Sequence, residues 1–429
     1  MVHGSIKLAL ILPELYSGGT LRGAKNIARM LMLGSITAGV KLELSFGHLD
    51  DSSLYQDADF EDLKELGIKI RPFKREVISS THIDIVFDYL KKTSQGKKAD
   101  TYWSFNDGIS NFEDCDFWII VSDRLQHSIP PHRPFAVIVY DYIQRYVPEI
   151  FGLTPNTDGN WMQYDAYAKA TRGAQFVICT TNQTRLDCIN YAGVNHERVF
   201  KFPMEFDSLN VQSKPLVKDI ELPPYLLWTT NSTQHKNHIN VILGLEYYFK
   251  NYPESKLNIY MTGIYTNLFT TKEDLDKHYF DEYPRRVRQT IASCPQVKKR
   301  LKIWGNLSDE IYLEKLTNAY GILHGALYDN GTYSIVEGAW FGVPSISSDY
   351  PAIRESCENF SLKPVLFNPR NPKDLAKSLQ EFEKNYSQIR ASLPHQEILI
   401  ERTFSKMADK YWDSFMTAYQ VTRDKNNEK

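Results

Sequence analysis

The sequence predicts an α/β protein of two halves, each a parallel β-sheet wound with helices. Three observations predict it. Short apolar runs alternate with longer amphipathic stretches, the pattern of strands and crossover helices. The alternation pauses once, near residue 205, and then resumes. With 429 residues the chain is long enough for two or three domains, each with its own core.

Taken in order, residues 6–12 form an apolar run that reads as a strand. The run is short and leads directly into patterned sequence, so a core strand is expected rather than a secretory signal. A Ser-Gly-Gly turn follows. Leu21, Ile27, Ala28, Leu31 and Met32 then recur at helical spacing. Further strands are expected at 117–121, 137–140 and 176–180. The segment MEFDSLNVQSKPLVKDIELPP is polar, aperiodic and closed by two prolines, which marks a linker. Beyond it, 225–228 reads as a strand, and Ile242, Leu245 and Phe249 mark a helix across 237–251. Strands are expected at 257–261 and 302–304. Ser308 is placed to cap a helix whose first turn holds Asp309 and Glu310, where the helix dipole favours acids. Strands at 322–323 and 343–347 close the series. The expected domains are 1–205, a linker at 206–224, 225–403, and a C-terminal helix and polar tail over 404–429.

Hydrophobic residues make up 42% and charged residues 24%, so each half can bury an ordinary core. The net charge of −2 argues against general nucleic-acid binding, which needs a basic face. Two local basic clusters stand out: Lys91, Lys92, Lys97 and Lys98, and Arg285, Arg286 and Arg288 with 298–300. They read as solvated surface, with peripheral contact to an anionic membrane face as the alternative. The cysteines are Cys115, Cys179, Cys188, Cys294 and Cys357, an odd set without a CxxC, so neither a disulfide framework nor a zinc site is expected. A reducing, cytoplasmic setting is the simplest expectation. No run reaches the roughly 20 apolar residues of a membrane helix.

The stretch that carries chemistry is 329-DNGTYSIVEGAWFGVPSISSDYP-351. Asn330-Gly331 signals a turn, Ile335, Val336, Ala339 and Trp340 share a helical stripe, and Gly342 and Pro344 end the helix. The first N–H groups of such a helix, at Gly331, Thr332, Tyr333 and Ser334, have no partner within it and form an anion site. Glu337 lies off the stripe, about one turn from that site, where its carboxylate can accept hydrogen bonds from a ribose diol. A nucleoside diphosphate answers both features. Asp329, before the turn, faces what the diphosphate carries.

These residues resemble the retaining glycosyltransferases of the GT-B fold, in particular the large fourth family that includes bacterial polysaccharide and O-antigen enzymes. The family's hallmark is two acids separated by seven residues, a small-residue helix, then GxP and a short strand. Here they are Asp329, Glu337 and 341-FGVPSISSDYPAIRE-355, with Asp in the first place where the family has Glu. In 225-YLLWTTNSTQHKNH-238, Lys236 falls on the family's lysine. The partner arginine is missing, with Thr230 near its place, and Asn231, His235 and Lys236 stand as the replacement set. Gly305 and Asn306 fall where the family borders the nucleotide base. In the first half, 17-SGGTLRGAKNIARML resembles the loop that closes over the site, with Gly18, Gly19 and Arg22. Tyr140-Asp141 stands where the family often has His-Asp.

The resemblance implies two Rossmann-like domains facing each other across a cleft, with a C-terminal helix returning to the first. It implies transfer of a hexose from a nucleotide-diphosphate sugar to a glycan or lipid-linked glycan, with retention and with neither metal nor cofactor. Mannose from GDP is the donor it favours. Asp329, Lys236 and Glu337 are the expected catalytic set. Two alternatives stay open: a catalytically silent nucleotide-sugar-binding subunit of a polysaccharide assembly complex, and a sugar-nucleotide 2-epimerase of the same fold.

Overall fold

In the computed structural model, which describes residues 5–16, 18–83, 99–122, 125–150, 160–206, 223–270, 282–330 and 333–427, the chain divides into two units. One is Met1–Asp207 with Glu401–Lys429, the other Ser208–Ile400. The expected basic cluster at Lys91, Lys92, Lys97 and Lys98 lies outside the described residues.

The first unit runs β1 (Ile6–Ile11), α1 (Gly18–Thr37), β2 (Leu42–Leu49), α2 (Glu61–Glu65), β3 (Lys69–Ser79), β4 (Thr101–Asn106), β5 (Phe117–Val121), β6 (Phe135–Ile138), α3 (Asn160–Gly173), β7 (Phe176–Cys179), α4 (Asn182–Asn190) and β8 (Val199–Lys201). These strands form one eight-stranded sheet in the order β4-β3-β2-β1-β5-β6-β7-β8. Its centre is apolar on both faces because helices cover both. Leu8, Leu10, Phe117, Ile119 and Val121 point into one layer, while Ala9, Ile11, Trp118 and Ile120 point into the other. The all-parallel expectation fails at one place: β4 pairs antiparallel with β3. An edge strand has a neighbour on one side only, so it can reverse direction without disturbing the rest. Strand β6 starts two residues before the expected 137, and Tyr140 lies beyond its end.

The first unit is completed from the far end of the chain. After an isolated bridge between Phe206 and Thr403, α14 (Phe404–Asn427) packs along α1. Its apolar stripe, Met407, Tyr411, Trp412, Phe415 and Ala418, enters the same layer as Leu8 and Phe117. The two helices meet at Gly34, where an added Cβ would lie 2.5 Å from both the Ala408 carbonyl oxygen and Trp412 Cβ.

The second unit runs β9 (Tyr225–Thr229), α5 (His238–Asn251), β10 (Asn258–Thr262), α6 (Glu282–Ser293), α7 (Pro295–Arg300), β11 (Leu301–Ile303), α8 (Asp309–Thr317), β12 (Gly321–His324), α9 (Tyr333–Trp340), β13 (Ser345–Ser348), α10 (Pro351–Phe360), β14 (Val365–Phe367), α11 (Pro372–Lys384), α12 (Tyr386–Ala391) and α13 (Gln396–Ile400). Its six strands are all parallel, in the order β11-β10-β9-β12-β13-β14. Ser308 caps α8 by accepting the Ile311 N–H, and Asn371 caps α11 ahead of Pro372 at its first position. Strand β9 is central, so the loops leaving the C-terminal ends of β9, β10 and β12 emerge side by side, which is where open α/β sheets bind ligands. Among the described residues no helix is long and apolar enough to cross a membrane.

Gly34→Ala should lower the unfolding free energy by about 1–3 kcal/mol, because the added methyl must force α1 and α14 apart. Urea unfolding of the two proteins checks it. Unchanged stability would mean the helices do not approach as closely as described.

Candidate active site

The loop after β9 is held by backbone before any side chain acts. Thr230 N–H donates to the Thr262 carbonyl at 2.9 Å, and Ser232 N–H to that of Ile264 at 3.2 Å. Asn231 Oδ1 accepts the Thr233 N–H at 3.0 Å, so this side chain is engaged within the loop. Asn237 follows in the left-handed region, φ 67°, which Asn tolerates better than most residues. Its amide anchors the turn to the Pro369 carbonyl at 2.8 Å. One further bond joins this loop to the loop after β12: the Leu327 N–H donates to the His235 carbonyl at 2.8 Å. That bond fixes how Lys236 and Asp329 meet, and the two form an ion pair through Nζ and Oδ2.

Both side chains of the pair are about four-fifths buried. Asp329 Oδ1 also accepts the Asn330 N–H at 2.9 Å. Burial by itself pushes the Asp329 carboxyl up, but the adjacent Lys236 ammonium, helped by His324 and His235, outweighs it and holds the group well below the usual carboxylate range. The imidazoles go the other way. Burial and then the Lys236 charge push His235 down to about 3. Burial and then His235 and Lys236 push His238 down to about 3. Burial lowers His324 too, against the opposing pull of Asp329. At neutral pH three uncharged rings thus surround one cation and one anion.

Thr230, near the place of the family's arginine, has a different task. Its Oγ1 lies 3.0 Å from His238 Nε2, while His238 Nδ1 lies 3.0 Å from the Tyr283 hydroxyl. Tyr283 donating to Nδ1 and Nε2–H donating to Thr230 satisfy this fully buried ring in its neutral form. Gly305, φ 74°, accepts through its carbonyl from the Gly263 N–H and the Thr262 hydroxyl, each at 2.8 Å. Gly263 passes so close to Thr230 that a Cβ would lie 1.6 Å from its carbonyl oxygen. The loops after β9, β10 and β11 are therefore laced together, with Asn306 exposed beside them.

Helix α9 departs from the expected one-sided stripe. Ser334 through Trp340 are all buried, Glu337 included at 3% exposure. The reason is the lack of a solvent side: Gly338 lies against Ile322 and the Val343 carbonyl, and the Tyr312 hydroxyl donates to Glu337 Oε2 at 2.8 Å. Tyr333 is partly exposed at the helix start, and Gly331 and Thr332 lie outside the described residues. The expected acceptor-side residues belong to the first unit. Gly18, φ 58°, opens α1; Gly19 has open space around its Cα; Arg22 is half-buried. Tyr140 packs against the core, and Asp141 Oδ1 accepts the Ile143 N–H at 3.0 Å. Sequence reasoning missed His324, Tyr312 and Gly263. Only His324 left a trace, as a polar residue closing an apolar run.

No family model matches the chain, and no curated protein matches its sequence. Solved structures do match in fold. A glycosyltransferase from Rickettsia africae ESF-5 superposes with a TM-score of 0.60 at 12% identity, covering 98% of this chain and 100% of that one. HepE from Anabaena, in complex with UDP and glucose, gives 0.58 at 13% identity, covering 98% and 100%. WaaG, a glycosyltransferase involved in lipopolysaccharide biosynthesis, gives 0.55 at 12% identity, covering 98% of each. The chain has the GT-B fold, two Rossmann-like α/β domains.

Because the Asp329 carboxyl is depressed in the folded protein, its contribution to stability is present above the unfolded carboxylate pKa and lost below it. The melting-temperature advantage of the wild type over Asp329→Asn should be full from pH 7 to pH 5 and shrink below about pH 4. An advantage that does not change with pH would mean the ion pair contributes nothing to stability.

Proposed function

We propose that the chain is a retaining glycosyltransferase that moves a hexose from a nucleotide-diphosphate sugar to a hydroxyl of a growing glycan. The observation that carries this reading is the Lys236–Asp329 pair at the ends of the central parallel strands, directly ahead of α9. A cation and a helix N-terminus suit a diphosphate. A fixed carboxylate beside them suits the hydroxyls of the sugar it carries. The fold shared with HepE and WaaG supports the same class of reaction.

In this mechanism Lys236 and the N-terminal end of α9 at Tyr333 and Ser334 stabilise the charge that grows on the diphosphate as the anomeric C–O bond breaks. The acceptor oxygen bonds the anomeric carbon on the face the diphosphate leaves, and its proton passes to a leaving phosphate oxygen. Asp329 orients the sugar. Glu337 takes the ribose, with Tyr312 holding its carboxylate in one orientation. The reaction uses no cofactor and no metal, the nucleotide sugar being a co-substrate. GDP-mannose heads the candidate donors, with UDP-glucose beside it because a HepE structure holds that compound.

A thermal-shift screen against GDP-, UDP- and dTDP-sugars identifies the donor, since a specific ligand stabilises in proportion to occupancy. With that donor, Lys236→Ala should lower kcat about 10²–10³-fold with a smaller effect on KM. Wild-type turnover should survive excess EDTA. Near-normal turnover of the variant would place the diphosphate elsewhere, and loss under EDTA restored by magnesium would end the metal-free mechanism.

Glu337→Gln should weaken binding of the free nucleoside diphosphate by about 1.5–3 kcal/mol, as hydrogen bonds to a charged acceptor are replaced by weaker ones. Calorimetry measures it, and unchanged affinity would remove Glu337 from the ribose site.

A further inference from the structure

His324 ends β12 and is 3% exposed. Its Nδ1 lies 3.0 Å from Ser347 Oγ. Its Nε2 is buried without a hydrogen-bond partner among the described residues, and what it faces is Asp329 Oδ2, 4.0 Å away. His238 makes the contrast: both its ring nitrogens are paired at 3.0 Å. A buried polar nitrogen left short of its neighbour is costly, so its proton state and its aim matter.

The ring has two neutral forms. Ser347 Oγ has one hydrogen, and two acceptors lie within its reach: His324 Nδ1 and, at 3.2 Å, the Ser348 carbonyl. If the hydroxyl donates to Ser348, Nδ1 must carry the ring proton, and the Nε2 lone pair then faces an anionic oxygen in a poorly screened interior. If the hydroxyl donates to Nδ1, Nε2–H points at the carboxylate. The charge on Asp329 selects the second form. Ser347, His324 and Asp329 then stand in line, each aimed at the next, with the last gap open. Asp329 Oδ2 is at present held by Lys236.

We propose that His324 is the positioning residue of Asp329: when a diphosphate draws Lys236 away, the Nε2–H of His324 closes onto the carboxylate and holds it ionised and aimed at the sugar. This rests on the diphosphate reading of Lys236. One cation cannot serve two anions at full strength, and a carboxylate four-fifths buried that loses its ammonium needs another donor. His324 supplies one without adding charge to the site.

Two measurements test this. The first needs no ligand. In Lys236→Met, a crystal structure should show the Nε2–Oδ2 distance closed from 4.0 Å into hydrogen-bond range. Nitrogen-15 spectra of the same variant should show Nε2 as the protonated nitrogen. A distance that stays open, or protonation at Nδ1, overturns the proposal whatever the enzyme's substrate. The second uses the donor identified by the screen. Gln places an amide N–H near the position of Nε2, whereas Asn reaches only as far as Nδ1. His324→Gln should keep kcat within about tenfold of wild type, while His324→Asn should lose about 100-fold at little-changed donor KM. If Asn serves as well as Gln, His324 acts only through Ser347 and the proposal fails. If wild type binds no nucleotide sugar at all, the glycosyltransferase reading fails and the Lys236→Met result still decides this one. Melting temperatures establish that each variant is folded, and if His324→Asn does not fold, the Lys236→Met structure decides alone.

Discussion

Lys236 and Asp329 stand 93 residues apart in the chain and depend on each other in the fold. Each is mostly withdrawn from water, and each charge is stabilised there by the other. The constraint runs outward from that pair. Because the two charges must meet, the loop after β9 and the loop after β12 must be fixed against each other, and the His235–Leu327 backbone bond does this. Because the pair is enclosed, the neighbouring imidazoles are kept neutral, so no second cation competes for the carboxylate.

The scaffold around the pair leaves little freedom. Backbone bonds tie the loop of Lys236 to the end of β10, and Gly263 and Gly305 tie that end to the loop after β11. His238, paired at both ring nitrogens, holds the base of the same loop against α6. Loops held by backbone bonds and buried rings stay in place when a ligand competes for one member of the pair. That is the condition under which exchange of partners at a carboxylate can be directional.

Much of this was legible in the sequence, for identifiable reasons. FWIIV at 117–121 is five apolar residues in a row, and the strand has those bounds. LELSFGHL does not read as a strand, because Glu43, Ser45 and His48 break its apolar run, although all but Glu43 and Leu49 are buried. KIRPFKREVIS carries four basic residues and a proline, yet it pairs on both sides as β3. The lysine and the aspartate were singled out by motif. Their pairing was not, since no local pattern reports a contact between two loops so far apart. The stripe on α9 misled for the opposite reason: periodicity assumes a solvent side, and this helix has none. His324 offered one letter at the end of ILH, and its meaning came only from what Ser347 and Asp329 place on either side of it.

The return of α14 to the first unit has a consequence for how the molecule is made. Leu31, Phe117 and Phe176 belong to a layer that also needs Met407, Trp412 and Phe415. A ribosome delivers the chain from the N-terminus, so every residue of the second unit is outside the exit tunnel before the first unit receives its last helix. Domains ordinarily fold in the order of their synthesis. Here the unit begun first is finished last, and until α14 emerges one apolar face of its sheet is covered only in part, by α1. Loss of α14 would therefore strike the unit that the N-terminal strands begin.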